Sequence, residues 1–225
     1  MKVSDFTIEP VPKKAVDAFI KKWHYSQSTR GLHISHCFGL YSDDGPFGLP
    51  RMIGAMIYGI PAMYGVAERY YKDDPSVVIE LNRLCCIDDT PKNTESYFIG
   101  KTLNWLKHNT KYRLVLSYAD LAQGHEGIIY KASNFTDLGM TTPDRVLIVD
   151  GKKYHSRMLT KKSPKFEAIR QRIKRKDENI TIEKLPTKHI YAYGLNKKIK
   201  KHLNRFKNEV LWYIQDSNRT NQERC

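Results

Sequence analysis

Long hydrophobic runs are missing from this sequence. No stretch of about 18 consecutive apolar residues occurs, and the opening MKVSDFTIEP lacks the apolar core of a secretion signal. The pattern therefore predicts neither a membrane span nor export, and we expect a cytoplasmic protein with no membrane partner. The chain has 225 residues, of which 40% are hydrophobic and 11% aromatic, and this is enough to bury a full core.

Cysteines are few and show no metal-binding pattern. The four of them, Cys37, Cys85, Cys86 and Cys225, contain no CxxC pair, and the adjacent two would point to opposite faces of a strand. No neighbouring base or helix start is available to lower the pKa of a thiol. We therefore expect structural thiols and not catalytic ones.

Glycine-rich phosphate loops are also lacking, since neither a P-loop nor a dinucleotide-binding pattern occurs. The nearest substitute is the start of the predicted helix ESYFIGKTLNWLKHN, which follows a buried strand. Free amides at a helix start attract anions, so Asn93, Thr94 and Ser96 are candidates for binding a phosphate group. The same residues could be ordinary helix caps, and this alternative stays open.

Acidic residues become scarce after residue 150. Residues 1–150 contain 17 Lys and Arg against 17 Asp and Glu, whereas residues 151–225 contain 21 against 7, so the whole net charge of +14 lies in the last third. A cationic block of this size attracts polyanions through phosphate contacts and counterion release, which favours a nucleic acid as partner. A solvated surface without a partner is the alternative.

The apolar pattern predicts an α/β fold. Helical spacing occurs in VPKKAVDAFIKKWHYS, neighbouring antiparallel strands are predicted at HCFGLYS and RMIGAMIYGIP, and a central strand is predicted at PSVVIELNRLCC, which is apolar on both faces. A helix, the buried strand YRLVLSYAD, a short helix at GHEGIIYKASNF and two strands joined at Asp150-Gly151 would continue the same layer. We expect one domain over residues 1–160.

Residues 161–225 are expected to form a basic α+β extension packed on that domain. Two short extended segments, ITIEKLP and KHIYAYG, separate two basic helices. In the last helix one apolar stripe is predicted to pack, while its lysines lie outside the stripe. The stripe consists of Leu195, Ile199, Leu203, Phe206 and Val210.

Three polar residues interrupt the apolar strand PSVVIELNRLCC. Glu80 and Asn82 would share one face of the strand, and Arg83 would lie on the other. A buried charge without a partner costs several kcal/mol, so each must find one. Either Glu80 and Arg83 form a network that locks the sheet to a helix, or one of these side chains faces a cleft.

A second polar group follows the strand YRLVLSYAD. Ser117, Asp120 and His125 would lie at the carboxyl edge of the sheet, where open α/β sheets bind ligands. Their residue types suit acid–base catalysis or metal binding, although the spacing alone is a weak signal. His24 and Tyr25 could join Asp120 in a nitrogen and oxygen ligand set suited to iron. Ordinary hydrogen bonding is the alternative for each of them.

Several segments carry a family resemblance. GIIYKASNF resembles the closing helix of GNAT-type acyltransferases, with Tyr130 at the tyrosine position and Asn134 where glycine is usual. Asparagine tolerates the left-handed cap, so this difference is small. More specifically, six segments in order resemble the phage Mom family of DNA-modifying enzymes. They are KWHYS, ELNRL, PKNTESYFIG, SYAD, GHEGIIYKASNF and HSR, spanning residues 21 to about 158.

The resemblance implies a GNAT-like mixed central sheet flanked by helices, with residues 1–160 as the catalytic domain. It implies an enzyme that converts the exocyclic amine of adenine in duplex DNA to a carbamoylmethylated amine, which protects phage DNA from host restriction. Such a protein would act in the cytoplasm of the bacterial host with double-stranded DNA as its partner. The oligomeric state stays open, a homodimer included.

The resemblance also implies cofactors. Groups around Asn93, Thr94 and Ser96 would hold the pyrophosphate of acetyl-CoA, and Tyr130 would lie near the thiol as an acid. Bonding nitrogen to the methyl carbon of acetyl-CoA is oxidative, which makes iron at the His24 ligand set a second cofactor candidate. The other catalytic candidates are Arg83, Ser117, Asp120 and His125.

The basic end would position the duplex while the target base is extruded. The candidates for DNA contact are Arg157, Lys161, Lys162, Arg172, Arg175, Lys197, Lys198, Lys200 and Lys201. Two other functions fit the same features. One is a GNAT acetyltransferase that acts on a protein or a small amine, and the other is a DNA-binding accessory protein without catalytic activity.

Overall fold

A computed structural model describes residues 2–61 and 65–222 of the chain, with side chains up to residue 209 except those of residues 156 and 157. The chain forms two compact units, each made of several segments. The first unit comprises Met1–Ala119, Gly127–Gly139 and Ile190–Cys225, and the second comprises Asp120–Glu126 and Met140–His189. The domain boundary expected at residue 160 lies inside the second unit. The division into a catalytic domain before this residue and a DNA-contacting extension after it stays a prediction.

The described part of the chain contains ten strands in two sheets. In chain order they are β1 Thr7–Pro10, β2 His33–Ser42, β3 Arg51–Ile60, β4 Val78–Cys86, β5 Leu114–Asp120, β6 Thr136–Met140, β7 Arg145–Val149, β8 Lys152–His155, β9 Ile180–Lys184 and β10 Lys188–Gly194. The larger sheet has the order β1-β2-β3-β4-β5-β10-β6, and the smaller one has the order β8-β7-β9.

Helices accompany both sheets. They are α1 Lys13–Trp23, α2 Val66–Tyr70, α3 Thr94–Asn109, α4 Ile128–Ala132, α5 Pro164–Lys174 and α6 Lys197–Gln222. In α1 and α3 the apolar residues recur at helical spacing and are buried, as Phe19 and Ile20 are in the first and Phe98 and Ile99 in the second. No helix in the described ranges is both long and apolar enough to cross a bilayer.

The fold class expected from the sequence, a mixed central sheet flanked by helices, is confirmed. β4 is the fourth of seven strands, pairs antiparallel with β3 and pairs parallel with β5. β2 and β3 are antiparallel neighbours, as predicted. The prediction missed the short strand β1 and the short helix α2.

The single layer predicted through residue 158 is wrong in its last part. The hairpin of β7 and β8 does turn at Asp150 and Gly151, both with positive φ, but its partner is β9 and not the central sheet. Leu147 packs with Phe166 and Ile169 of α5, so the small sheet has a core of its own. In the central sheet β5 is followed by β10 and then by β6.

Candidate functional site at the fork between strands β4 and β5

The parallel pairing of β4 and β5 stops before either strand ends. The ladder runs from Val78↔Leu114 to Leu81↔Ser117, whereas β4 continues to Cys86. Beyond Leu81 the two backbones therefore separate and leave a fork at the carboxyl edge of the sheet, where ligands bind in open α/β sheets.

A β-bulge lies at the same level of β4. Ile57 of β3 pairs with Arg83 and the next residue, Tyr58, pairs with Leu81, so Asn82 is the extra residue. A bulge bends its strand and leaves one residue out of the ladder, and this one lies where the pairing of β4 with β5 ends. Gly59 of β3 accommodates it, because a Cβ at Gly59 would lie 2.5 Å from Asn82 Oδ1.

Ser117 and Tyr130 meet at the base of the fork. Ser117 is fully buried, and its hydroxyl donates a hydrogen bond of 3.2 Å to the carbonyl of Leu81. A second hydrogen bond joins Ser117 to Tyr130 of α4. These contacts form a chain from the tyrosine hydroxyl to a main-chain carbonyl.

Burial controls the protonation of Tyr130. It raises the pKa of Tyr130 to about 12, although the hydrogen bond with Ser117 acts in the opposite direction. The charges of Tyr25, Glu80 and Tyr191 add to the rise. Tyr130 is therefore protonated at neutral pH and is suited to be a proton donor.

Tyr130 is held in place by close packing around α4. Its ring centre lies 5.1 Å from that of Tyr191 and 5.5 Å from that of Phe135. Gly127 opens α4 with φ +75°, and a Cβ there would overlap the ring of Tyr191. Asn134 ends the segment in the left-handed region at φ +60°, as the resemblance implied.

Arg83 anchors a loop to the site. Its Nε donates to the carbonyl of Ser28 at 3.3 Å, and its Nη1 donates to the carbonyl of Asn82 at 2.7 Å. Its guanidinium is therefore hydrogen-bonded to main-chain carbonyls on both sides. Burial is the main cause that raises the pKa of Tyr118 and of Tyr130. The negative charge of Glu80 raises both pKa values further.

His24 and Tyr25 follow the last turn of α1. His24 is 7% exposed, and its Nδ1 accepts a hydrogen bond from the amide of Ser26 at 3.0 Å and lies 2.9 Å from the Ser26 hydroxyl. The proton of the neutral imidazole therefore lies on Nε2. Tyr25 stacks on this ring, with the two centres 4.3 Å apart.

Asp120 and His125 belong to the second unit. Asp120 Oδ1 accepts from the amide of Ala122 at 3.2 Å, and Oδ2 pairs with Lys188 Nζ at 2.8 Å. The amide of His125 donates to the carbonyl of Asp120 at 3.3 Å, and its side chain is exposed. The catalytic roles expected for both residues stay predictions.

At the helix start proposed for phosphate binding, the side-chain hydroxyls donate to main-chain carbonyls of the same segment. Thr94 is fully buried and donates to the carbonyl of Pro91 at 2.6 Å, while Ser96 donates to the carbonyl of Asn93 at 3.0 Å. Asn93 precedes the helix at φ +71° without capping it through its side chain. A phosphate at this position would therefore be bound by main-chain amides and by the exposed Asn93.

The thiols near the site are not activated. Burial raises the pKa of Cys37 and of Cys85 to about 11, and it also raises the pKa of Cys86. Their expected structural role agrees with this direction. Cys225 lies outside the described residues.

Most of the cations expected to contact DNA are exposed. Along α6, Lys197, Lys198, Lys200 and Lys201 lie outside the buried stripe of Leu195, Ile199 and Leu203, as predicted. In the second unit Lys161, Lys162 and Arg175 are exposed. Arg172 is different, because it pairs with Asp150 and Asp177 at 2.7 Å and lowers the pKa of both carboxyl groups. The side chains of Arg157 and Val210 lie outside the described residues.

The structure thus brings together Ser117 and Tyr130, two residues expected from the sequence. Three other contributors were not expected, namely the carbonyl of Leu81, the Tyr191 ring and Gly127. Of these three, only Gly127 had a signal in the sequence, namely a glycine directly before a short helix. The carbonyl has no sequence signal, because its role depends on where the strand ladder ends.

One protein family matches nearly the whole sequence. The model of the Mom protein family matches residues 5–211. The methylcarbamoylase mom of Escherichia phage Mu is 31% identical over 164 residues, which make up 71% of this chain and 66% of that protein, just under two thirds of its length.

Solved structures with similar folds include acetyltransferases. One is the spermidine/spermine N-acetyltransferase SpeG of Vibrio cholerae, with 8% identity, coverage of 88% of this chain and 98% of that one, and a TM-score of 0.49. Another is NAA60 of Arabidopsis thaliana in complex with acetyl-CoA, with 8% identity, coverage of 84% and 98%, and a TM-score of 0.48. Because the family match extends from residue 5 to residue 211, the chain belongs to the Mom protein family.

Proposed function

We propose that this protein is an enzyme that converts the exocyclic amine of adenine in double-stranded DNA to a carbamoylmethylated amine. Membership of the Mom family and the phage relative named methylcarbamoylase support a reaction of this kind. The modified base would protect phage DNA from restriction in the host cytoplasm. We propose acetyl-CoA as the source of the two added carbons.

The observation that carries the proposal is the fork between β4 and β5 with Tyr130 at its base. An open fork at the carboxyl edge can admit an extended acyl chain between two strands. Tyr130 is the acid that we propose there, since its hydroxyl carries a proton at neutral pH. It would donate its proton to a departing thiolate, and Ser117 would hold the tyrosine hydroxyl in the required direction.

Acyl-CoA, when bound, supplies an activated two-carbon unit. Turning that unit into a carbamoylmethyl group requires a nitrogen donor for the carboxamide and the removal of two electrons when the adenine nitrogen bonds to the methyl carbon. The roles of this chain's own residues are narrower. Main-chain amides at the start of α3 and Asn93 would bind the pyrophosphate, and Arg83 would fix the loop that carries Ser28.

DNA would be held by the cationic residues. The exposed lysines of α6 form one row beside a buried stripe, which is suited to contact successive phosphates without sequence preference. The exposed Lys161, Lys162 and Arg175 of the second unit are further candidates for phosphate contact. Arg172 contributes less charge than expected, because Asp150 and Asp177 balance it.

An iron site at His24, Tyr25 and Asp120 stays a prediction. The hydrogen bonds of His24 and Asp120 argue against it. A histidine that binds a metal through one nitrogen carries its proton on the other, yet His24 Nδ1 accepts from an amide. Both carboxylate oxygens of Asp120 already have partners. Among the side chains that the structure describes, no three or more of His, Cys, Asp and Glu are grouped to hold a metal ion. The set does not fit a metal as it stands.

Mass spectrometry of nucleosides tests the proposal. DNA from cells that express the wild-type protein should contain adenine bearing a carbamoylmethyl group, and DNA from cells that express soluble Tyr130→Phe should contain far less. Unmodified adenine together with acetyl-CoA turnover on a protein or small amine would identify an acetyltransferase. Salt-sensitive DNA binding without any modified base or turnover would identify an accessory protein.

A further inference from the structure

We propose that the exposed ring of Tyr25 is the surface on which the target adenine stacks after it leaves the duplex. This inference rests on the proposed function and adds to it the residue that captures the base. An enzyme that acts on the exocyclic amine of a paired adenine must take the base out of the helix, and stacking on an aromatic ring holds such a base.

The support beneath Tyr25 is a buried and oriented ring. His24 is 7% exposed, the amide of Ser26 donates to its Nδ1 at 3.0 Å, and the Ser26 hydroxyl lies 2.9 Å from the same atom. These contacts fix the rotation of the imidazole. A ring that is fixed in this way offers a flat surface for a neighbouring ring.

Tyr25 lies on that surface and still reaches solvent. Its ring centre is 4.3 Å from that of His24 at an interplanar angle of 30°, which is a stacked arrangement. Half of the side chain, 52%, remains exposed. A half-exposed aromatic ring resting on a buried one is suited to receive a planar ligand on its outer side, and adenine is such a ligand.

The position of Tyr25 links it to the fork. Arg83 lies next to the bulge of β4 and donates from Nε to the carbonyl of Ser28 at 3.3 Å, so the loop that carries Tyr25 is attached to β4 at the level of the fork. Burial keeps Tyr130 protonated, whereas the half-exposed Tyr25 is open to a ligand from solvent. A base stacked on Tyr25 would therefore lie near the fork.

The loop that carries Tyr25 is braced from both sides. Arg83 Nε donates to the carbonyl of Ser28 at 3.3 Å, and the hydroxyl of Thr29 donates to Asp17 Oδ1 at 2.5 Å. Binding then requires little additional ordering, which favours affinity. Exposed Lys22, whose Nζ lies 4.7 Å from the centre of the Trp23 ring, places a cation close by for a flanking phosphate.

Stacking and metal binding make opposite demands on Tyr25. A stacking ring needs its π face, which phenylalanine retains, whereas a metal ligand needs the phenolic oxygen, which phenylalanine lacks. The pair Tyr25→Phe and Tyr25→Leu therefore separates the two roles. Phe47→Leu is the matched control, because Phe47 is a fully exposed aromatic residue in the turn between β2 and β3.

The first measurement is the rate of adenine modification in cells, normalised to soluble protein. Tyr25→Phe should stay within about twofold of the wild type, whereas Tyr25→Leu should fall about 10-fold to 100-fold, the range typical of removing one base–aromatic stack. Phe47→Leu should not change the rate. Equal losses in Tyr25→Phe and Tyr25→Leu would overturn the proposal, because the hydroxyl would then be the essential group, and so would an unchanged rate in Tyr25→Leu.

The second measurement is DNA binding by the purified full chain, which does not depend on catalysis. A duplex with one adenine opposite an abasic site offers an unpaired base that is easily extruded. The wild type should bind it about 10-fold or more tightly than the matched duplex, and Tyr25→Leu alone of the three variants should lose this preference. If the preference depends on Tyr25 while no modified base is ever found, base capture stands and the proposed reaction is wrong. Absence of the preference in the wild type would overturn base capture itself.

Discussion

The hydroxyl of Ser117 donates to the carbonyl of Leu81 at 3.2 Å, and these two residues form the last pair of the ladder between β4 and β5. Ser117 therefore marks the point where the strands separate. Because it also hydrogen-bonds Tyr130, the end of the ladder and the proposed acid are connected through one side chain.

Removing the Ser117 hydroxyl should impair the reaction more than the fold. In Ser117→Ala the buried Tyr130 hydroxyl loses its partner, and we expect the modification rate to fall about 10-fold to 100-fold with a stability loss of about 1–3 kcal/mol. Ser117→Thr keeps a hydroxyl and should recover most of the rate. Single-turnover assays and thermal unfolding measure the two effects. A rate in Ser117→Ala equal to that of Ser117→Thr would contradict the role of this hydrogen bond.

Tyr130 should make the stability of the protein depend on pH in the alkaline range. Folding raises the pKa of Tyr130 from 10.0 to about 12, so its contribution is constant below pH 10 and declines as the pH rises towards 12. Tyr130→Phe lacks this decline. The difference in unfolding free energy between wild type and Tyr130→Phe should therefore change by about 2 kcal/mol, to the disadvantage of the wild type, between about pH 9 and about pH 12.

Urea unfolding at a series of pH values measures this difference. Buried tyrosines whose pKa does not depend on Tyr130, such as Tyr70, titrate equally in both proteins and cancel in the comparison. Two curves that stay parallel up to pH 12 would show that Tyr130 is not buried as described.

Local patterns in the sequence predicted the helices and strands. The geometry of the site, in contrast, depends on the register between strands that are distant in the sequence. Buried periodicity located α1, α3, β4 and β5, and Ser117 and Tyr130 were each selected as candidates. Their contact could not be foreseen, because it follows from where β5 stops pairing with β4 and from the bulge at Asn82. The same holds for the ion pair of Arg172 with Asp150, which joins residues 22 positions apart.

Gly127 should be intolerant of any side chain. It combines φ +75° with direct contact to the Tyr191 ring, so Gly127→Ala carries both backbone strain and overlap. We expect a loss of about 2–4 kcal/mol in unfolding free energy. Gly139→Ala is the matched control, since Gly139 has φ +87° with open space around it and should lose only about 1 kcal/mol.

The double variant Gly127→Ala, Tyr191→Leu tests the cause. A smaller side chain at position 191 relieves the overlap but not the strain, so the two changes together should cost less than their sum. Strict additivity would show that the overlap with Tyr191 is not what excludes alanine.

The metal content of the protein should be independent of His24 and Asp120. Because the hydrogen bonds of both residues are already used, we expect elemental analysis of purified wild type, His24→Gln and Asp120→Asn to give the same iron per chain. Iron near one atom per chain in the wild type that is lost in both variants would instead support the ligand set expected from the sequence. It would also require Asp120 to release Lys188.

The lysine row of α6 should account for part of the salt dependence of DNA binding. Replacing Lys197, Lys198, Lys200 and Lys201 by Gln should weaken binding and lower the slope of log K against log salt by about 0.9 for each phosphate that is no longer neutralised. The control replaces four exposed lysines elsewhere in the first unit and changes the net charge equally. These are Lys14, Lys101, Lys107 and Lys111.

Lys198 needs separate treatment in this experiment. It hydrogen-bonds Tyr71, which raises the pKa of Lys198, and Tyr71 packs against His202 of the same helix. A triple variant that keeps Lys198 therefore removes charge while leaving the attachment of α6 unchanged. If the triple variant and a control that replaces only Lys14, Lys101 and Lys107 shift the slope equally, only the net charge matters and the row has no specific role. A larger shift in the triple variant would assign the phosphate contacts to this face of α6.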